Sequence, residues 1–125
     1  MNTATNKERG NAGLALAIAY YGSNSYVVSI PLNDTQDYDL VVDNGTLKRV
    51  QVKFTLHMGR TGYSVSLKSS GGTKGTIYKH VVDTDIEILF VVTEAGTMYE
   101  IPIKDINNRS SLTLNTTCDK YIVKV

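Results

Sequence analysis

At 125 residues, 42% of them hydrophobic, the chain is long enough for one domain with a real core. Its net charge of +1 decides nothing about partners, but a single cysteine excludes an internal disulfide, and with only two histidines beside it a zinc site is excluded too. The longest apolar run, residues 13–21, falls far short of the ~20 residues that span a bilayer, and no basic-then-apolar secretion pattern opens the chain. The expectation is a soluble, intracellular, cytoplasmic protein without membrane contact, compatible with a bacterial, phage or organellar origin.

Asn6 is placed to cap a helix over residues 7–21, with Gly22 ending it. Residues 14–21 are apolar on all sides, so this helix is expected to lie between a sheet and a further layer such as a partner subunit. Strands are expected at residues 26–30, 38–43, 47–55 and 63–68. Asn44-Gly45 between two apolar-alternating runs is a strong hairpin signal. Within the second run Gln51 and Lys53 share one face, while Val50, Val52 and Phe54 take the opposite, core-facing side. The hairpin can bring Asp39, on the entering strand, close to that polar pair.

Residues 69–75 read as a flexible loop, and they lack the spacing and following helix of a nucleotide-binding phosphate loop. A short helix is expected over residues 78–85, then a hairpin of residues 86–93 and 97–102 around Glu94-Ala95-Gly96, then edge strands at residues 112–114 and 121–125. Nothing divides the chain, so residues 1–125 are expected to form a single domain.

A carboxylate, an amide oxygen and an ammonium converging on one spot suit a hard cation and a phosphate. The series Ser29-Ile30-Pro31, Tyr38-Asp39-Leu40-Val41 and Val50-Gln51-Val52-Lys53, following a helix, resembles the PD-(D/E)XK nuclease fold. Within that fold it is most similar to the group I intron-encoded PD-(D/E)XK homing endonucleases, in which Gln stands where other members carry an acid. The likeness covers about residues 7–104.

The resemblance implies a restriction-endonuclease-like α/β fold: a central mixed sheet, an N-terminal helix packed on it and a C-terminal β-rich extension. It also implies Mg²⁺-dependent hydrolysis of phosphodiester bonds in double-stranded DNA, with Mn²⁺ able to substitute, by a homo-oligomer (dimer or tetramer). Asp39, the Gln51 side-chain oxygen and the Val52 backbone carbonyl would then hold the metal, and Lys53 would stabilise developing charge or orient the attacking water. Members usually carry a first-helix glutamate shortly after a glycine, a position that falls here at Leu14, next to Gly13. Glu8 is the only acid in the expected helix, so either Glu8 completes the catalytic and metal set or the set is one carboxylate short. A Holliday-junction resolvase of the same fold and a catalytically weak DNA-binding relative are the alternatives.

Charge is strongly segregated. Residues 46–80 hold seven basic residues, both histidines and no acid, whereas the remainder holds six basic residues against twelve acidic ones. One electropositive face is the footprint of a phosphate-backbone binder, and Lys48, Arg49, Arg60, Lys68, Lys74 and Lys79 are the expected DNA contacts. His57 and His80 are expected as phosphate contacts or plain surface, Glu100 as solvent-facing and Cys118 as inert.

Overall fold

The computed structural model describes residues 4–33, 35–70, 78–107 and 109–125. Helix α1, Asn6–Ser23, opens on a capping box: the Thr5 hydroxyl accepts the Glu8 N–H at 3.2 Å, and the Glu8 carboxylate accepts the Thr5 N–H at 3.0 Å. Two orphan donors of the helix start are thereby satisfied reciprocally, which a lone asparagine cannot do. The N-cap is Thr5 rather than Asn6, whose side chain instead accepts from the Arg9 guanidinium at 3.3 Å.

Among the described residues ten strands follow: β1 (Val27–Ser29), β2 (Leu40–Asp43), β3 (Leu47–Thr55), β4 (Tyr63–Ser66), β5 (Lys68–Ser70), β6 (Tyr78–His80), β7 (Ile88–Thr93), β8 (Met98–Pro102), β9 (Ser111–Leu114) and β10 (Ile122–Val123). Six of them form one sheet in the order β1-β2-β3-β7-β8-β10. Only β3 and β7 run parallel; the other neighbours are antiparallel, so the sheet is mixed. The β2–β3 turn needs its glycine, since Gly45 has φ +112° and donates its N–H to the Asp43 carboxylate at 2.8 Å.

The sheet buries both faces. Toward α1, Leu40, Val42, Val50, Ile88, Phe90 and Val92 pack with Ala17 and Tyr21. On the far face Leu89, Val91, Tyr99 and Ile101 pack beneath Val65 and Leu114 of a β4–β9 ribbon, with Leu67, Val81 and Cys118 alongside. No element among the described residues covers the outer side of α1, where Ala15, Leu16 and Ala19 are exposed.

Several expectations are corrected. Residues 78–85 are not a helix: Tyr78–His80 pairs with Lys68–Ser70 as a second ribbon, and only Val81–Asp83 makes a 3-10 turn. The His80 ring caps that turn, Nδ1 accepting the Val82 N–H at 3.1 Å while Nε2 lies 2.6 Å from the Arg109 carbonyl, so His80 is structural. Residues 63–68 break into β4 and β5 at Leu67, whose N–H goes to the Ser110 carbonyl at 3.0 Å. Ser111–Leu114 joins β4 instead of extending the main sheet, and β10 takes the sheet edge, so the C-terminal stretch is β-rich in two separate places. Glu100 is not solvent-facing: it points toward α1 and accepts the buried Tyr21 hydroxyl at 2.6 Å. Burial first and that bond second push the Tyr21 hydroxyl far above its ordinary pKa. Of the loop expected at residues 69–75, the first two residues belong to β5 and the rest lie outside the described residues, Lys74 among them.

Candidate active site

β3 supplies half of the site through its alternation. Gln51 pairs with Leu89 and Lys53 with Val91, and residues in register across neighbouring strands share a face, so both side chains leave the sheet away from α1. Gln51 is buried at 9% exposure and Lys53 is half-buried.

Asp39 supplies the other half from just before β2. Pairing of β2 with β3 begins at Leu40 opposite Val50, so at Val52 the antiparallel ladder has run out. Asp39 fills the gap twice: its N–H donates to the Val50 carbonyl at 2.8 Å, and its Oδ2 accepts the Val52 N–H at 2.8 Å. In a strand the N–H and carbonyl of one residue point to the same side, so the Val52 carbonyl looks toward the side on which the Asp39 carboxylate lies. Carboxylate and carbonyl therefore flank the edge of β3 where Gln51 and Lys53 emerge.

The electrostatics follow from crowding. Solvent reaches Asp39, yet desolvation by the surrounding protein outweighs the Val52 N–H and the Lys53 ammonium and raises its carboxyl above the ordinary value. Burial likewise lowers the Lys53 ammonium, against the opposing pull of Asp39. Lys53 is steered by Nζ donating to the Lys68 carbonyl at 2.6 Å. That acceptor is a backbone group fifteen residues away, so nothing in the sequence marked it.

Other expected residues are placed elsewhere. The Glu8 carboxylate is engaged in the helix cap, and its pKa is lowered by the Thr5 bonds and by Arg9, with no contribution from Asp39. Arg49 shares the face of Gln51 and Lys53, but its guanidinium pairs with Glu87 at 3.2 Å and lies 5.7 Å from the Tyr38 ring centroid. Lys48 falls on the α1 side of the sheet, opposite Val42. Arg60, Lys68 and Lys79 are all exposed, Lys79 opposite Ser69 in the β5–β6 ribbon.

Beside Lys53 lies a groove of about 210 Å³, lined also by Thr55, His57, Ser64 and Ser66 but by neither Asp39 nor Gln51. Two larger clefts, about 520 and 670 Å³, contain none of Asp39, Gln51 or Lys53. The available donors are one carboxylate, one amide oxygen and one backbone carbonyl, an all-oxygen set of the kind that Mg²⁺ takes through one or two carboxylates plus substrate phosphates. Among the described residues no group of three or more His, Cys, Asp or Glu is gathered for a metal. The donor set thus fits a hard cation that relies on its substrate for further ligands.

A mixed sheet with a helix on one face thus carries an acid at the start of one strand beside Gln-x-Lys on the next. The family model of the PD-(D/E)XK endonuclease matches residues 4–121, and the chain belongs to that family. Among solved structures it is similar to the bacterial homing endonuclease I-Ssp6803I: TM-score 0.74, 24% identity, 94% of this chain and 82% of that chain covered. It is also similar to Hjc, a Holliday junction resolvase from the archaeal hyperthermophile Archaeoglobus fulgidus: TM-score 0.59, 10% identity, 93% and 91% covered. No curated protein matches the chain. No helix among the described residues is long and apolar enough to cross a membrane.

Proposed function

We propose that the chain is a Mg²⁺-dependent endonuclease that hydrolyses phosphodiester bonds in double-stranded DNA, working as a homo-oligomer at a specific site in the manner of a homing endonuclease. The observation that carries this reading is the Asp39 carboxylate seated on the Val52 N–H with Lys53 as its charge partner. Asp39, the Gln51 amide oxygen and the Val52 carbonyl are the groups that would hold the metal, with Mn²⁺ able to replace Mg²⁺. A bound divalent ion at that spot would supply Lewis acidity toward the scissile phosphate.

The remaining chemistry falls to the side chains. Lys53, held by the Lys68 carbonyl, presents a cation to the charge that develops on the phosphate oxygens. Its lowered pKa loosens its hold on its proton, which fits it to exchange one with the attacking water. Lys68, Lys74 and Lys79 neutralise backbone phosphates, Arg60 makes a further contact to the duplex, and Lys48 and Arg49 lie at the flank. One subunit this small has too little surface for a long target, which favours a dimer or tetramer.

The resolvase reading keeps the same residues in the same roles and draws support from the likeness to Hjc. A cleavage assay on linear duplex and on four-way junctions, with and without Mg²⁺, separates them. Mg²⁺-dependent cutting of linear duplex is expected; preferential cutting of junctions would transfer the protein to the resolvases. Retained duplex binding without cutting of either substrate would leave a DNA-binding relative.

A further inference from the structure

The connection from β3 to β4, residues 57–62, is a braced finger. The Ser64 N–H donates to the His57 carbonyl at 2.8 Å, the Gly59 N–H donates to the Gly62 carbonyl at 2.8 Å, and Met58 bridges to Tyr63 in antiparallel register. At its base the Thr55 hydroxyl donates to the Ser64 carbonyl and accepts the His57 N–H. Gly62 has φ +156°, and a Cβ there would fall 2.5 Å from the Leu114 carbonyl oxygen, so the finger is pressed against β9 with no room for a side chain. A connection of this length held at both ends and along one side has little conformational freedom left to lose on binding.

Three of its side chains, those of His57, Met58 and Arg60, are exposed to solvent, Met58 at 63%. Neither the His57 ring nor the Arg60 guanidinium makes a hydrogen bond or ion pair among the described residues, whereas Arg49 and Arg9 both have partners. A lone exposed methionine is ordinary. Here it stands close in sequence to a guanidinium without an ion-pair partner among the described residues, on a braced support, within a segment that contains no acid. Thr55, His57 and Ser64 at the base of the finger line the same groove as Lys53.

We infer that this finger enters a groove of duplex DNA beside the scissile phosphate and reads its sequence. Arg60 takes a base edge, Met58 makes the apolar contact with a thymine methyl or a base step, and His57 takes a backbone phosphate. The partner follows from the chemistry: an exposed cation and a thioether on one braced connection match acceptor-rich base edges, and an anionic backbone accounts for the imidazole next to them. Seven residues of extended chain from Lys53 reach at most about 23 Å, less than the ~34 Å of one duplex turn. Any base that Arg60 touches therefore lies within one turn of the bond positioned at Lys53. The inference rests on the nuclease reading for the placement of the scissile phosphate, but recognition by the finger can be measured without cutting.

The test is selection from a randomised duplex library by binding in Ca²⁺, with the parent chain, Arg60→Ala, Met58→Ala and Lys53→Ala each sequenced after enrichment. Arg60→Ala is expected to lower the base preference at one or two positions by about tenfold or more, and Met58→Ala to weaken it at a neighbouring step. Lys53→Ala keeps the parent's enriched sequences, because it serves chemistry rather than recognition. Identical enriched pools for the parent and both finger variants, with only a shallower salt dependence for Arg60→Ala, would reduce Arg60 to a phosphate contact and overturn the inference. A parent that enriches no sequence overturns it as well. A parent that selects sequences but cuts no substrate defeats the nuclease reading alone, and the variant pools still decide for or against the finger.

Discussion

β3 and β7 lie side by side, parallel and in register over six residues, yet one reads Val-Gln-Val-Lys-Phe-Thr and the other Ile-Leu-Phe-Val-Val-Thr. On the α1 side they are chemically alike, with Val50, Val52 and Phe54 beside Ile88, Phe90 and Val92. The difference is confined to the far face, where Gln51 stands next to Leu89 and Lys53 next to Val91. All of β7 is buried, and its far-face residues complete a second core. The same positions one strand over carry an amide and an ammonium at the margin of that core, beside an aspartate that solvent reaches. The polar residues of the proposed site stand where one face of one strand departs from the apolar pattern, against an adjoining strand that is buried throughout.

The largest expected effect breaks this comparison in two. Lys53→Ala and Asp39→Asn should each reduce cleavage by about a thousandfold or more, while duplex affinity falls less than about tenfold. Leu89→Ala, one strand away at the same level, should instead lower the stability of the whole domain by about 2 to 5 kcal/mol. Urea melts and cleavage rates on the same three variants check both halves. Near-parental turnover in Lys53→Ala or Asp39→Asn would remove the site from β3.

A second variant sharpens the cost of the break. Asp39 has its carboxyl raised and Lys53 its ammonium lowered, each with burial as the first cause, so both charged forms are disfavoured by folding. Asp39→Asn combined with Lys53→Met should therefore be slightly more stable than the parent at neutral pH, in metal-free buffer. The sign fixes the pH profile. The Asp39 penalty is absent below its unfolded pKa and complete above its raised folded pKa, so the advantage of the double variant shrinks in acid. The Lys53 penalty is complete below its lowered folded pKa and vanishes as the pH approaches the unfolded value, so the advantage shrinks in alkali too. A double variant no more stable than the parent at neutral pH would mean that the Asp39–Lys53 attraction outweighs their desolvation.

The contrast between the strands also explains what could be read from sequence. β3 has its expected bounds because a polar-apolar alternation over residues 49–55 follows a turn that Gly45 satisfies with its positive φ, and Gln51 and Lys53 share a face by the two-residue repeat alone. The β7–β8 hairpin was legible for a similar reason: Gly96, with φ +89°, sits in the turn. Glu100 was misplaced because β8 is covered on both faces, so alternation could not say which side meets water; the deciding partner, Tyr21, is 79 residues away. The β5–β6 ribbon and the β4–β9 pairing depend on contacts between distant segments, which local propensity does not carry. The Thr5 cap differs, since Thr-x-x-Glu stood in the sequence and marks a capping box more specifically than Asn6 alone.

Smaller effects probe the flank of β3. If Lys68 and Lys79 neutralise phosphates, each change to alanine should shallow the logarithmic salt dependence of duplex binding by about 0.9. Arg49→Ala should shallow it by less, because the Glu87 carboxylate at 3.2 Å already offsets the guanidinium. Binding isotherms across a salt series check this; a full unit of slope for Arg49 would mean that Glu87 releases it on the duplex.

The smallest expected effect concerns Glu8. Its carboxylate closes the capping box with Thr5, and the bonds that do so lower its pKa. A depressed pKa contributes stability above the unfolded value and loses it as the pH falls through the folded one. Glutamine can close the same box, so Glu8→Gln should melt only slightly below the parent at neutral pH, and the two melting curves should converge in acid. The metal reading of Glu8 demands far more: a neutral amide holds a hard cation less well than a carboxylate, so cleavage should fall by at least about a hundredfold at sub-saturating Mg²⁺. With Glu8 held in the cap, the expected rate curve against Mg²⁺ concentration overlies that of the parent. A displaced curve at unchanged fold and duplex affinity would return Glu8 to the metal set and require the first turn of α1 to open when DNA is bound.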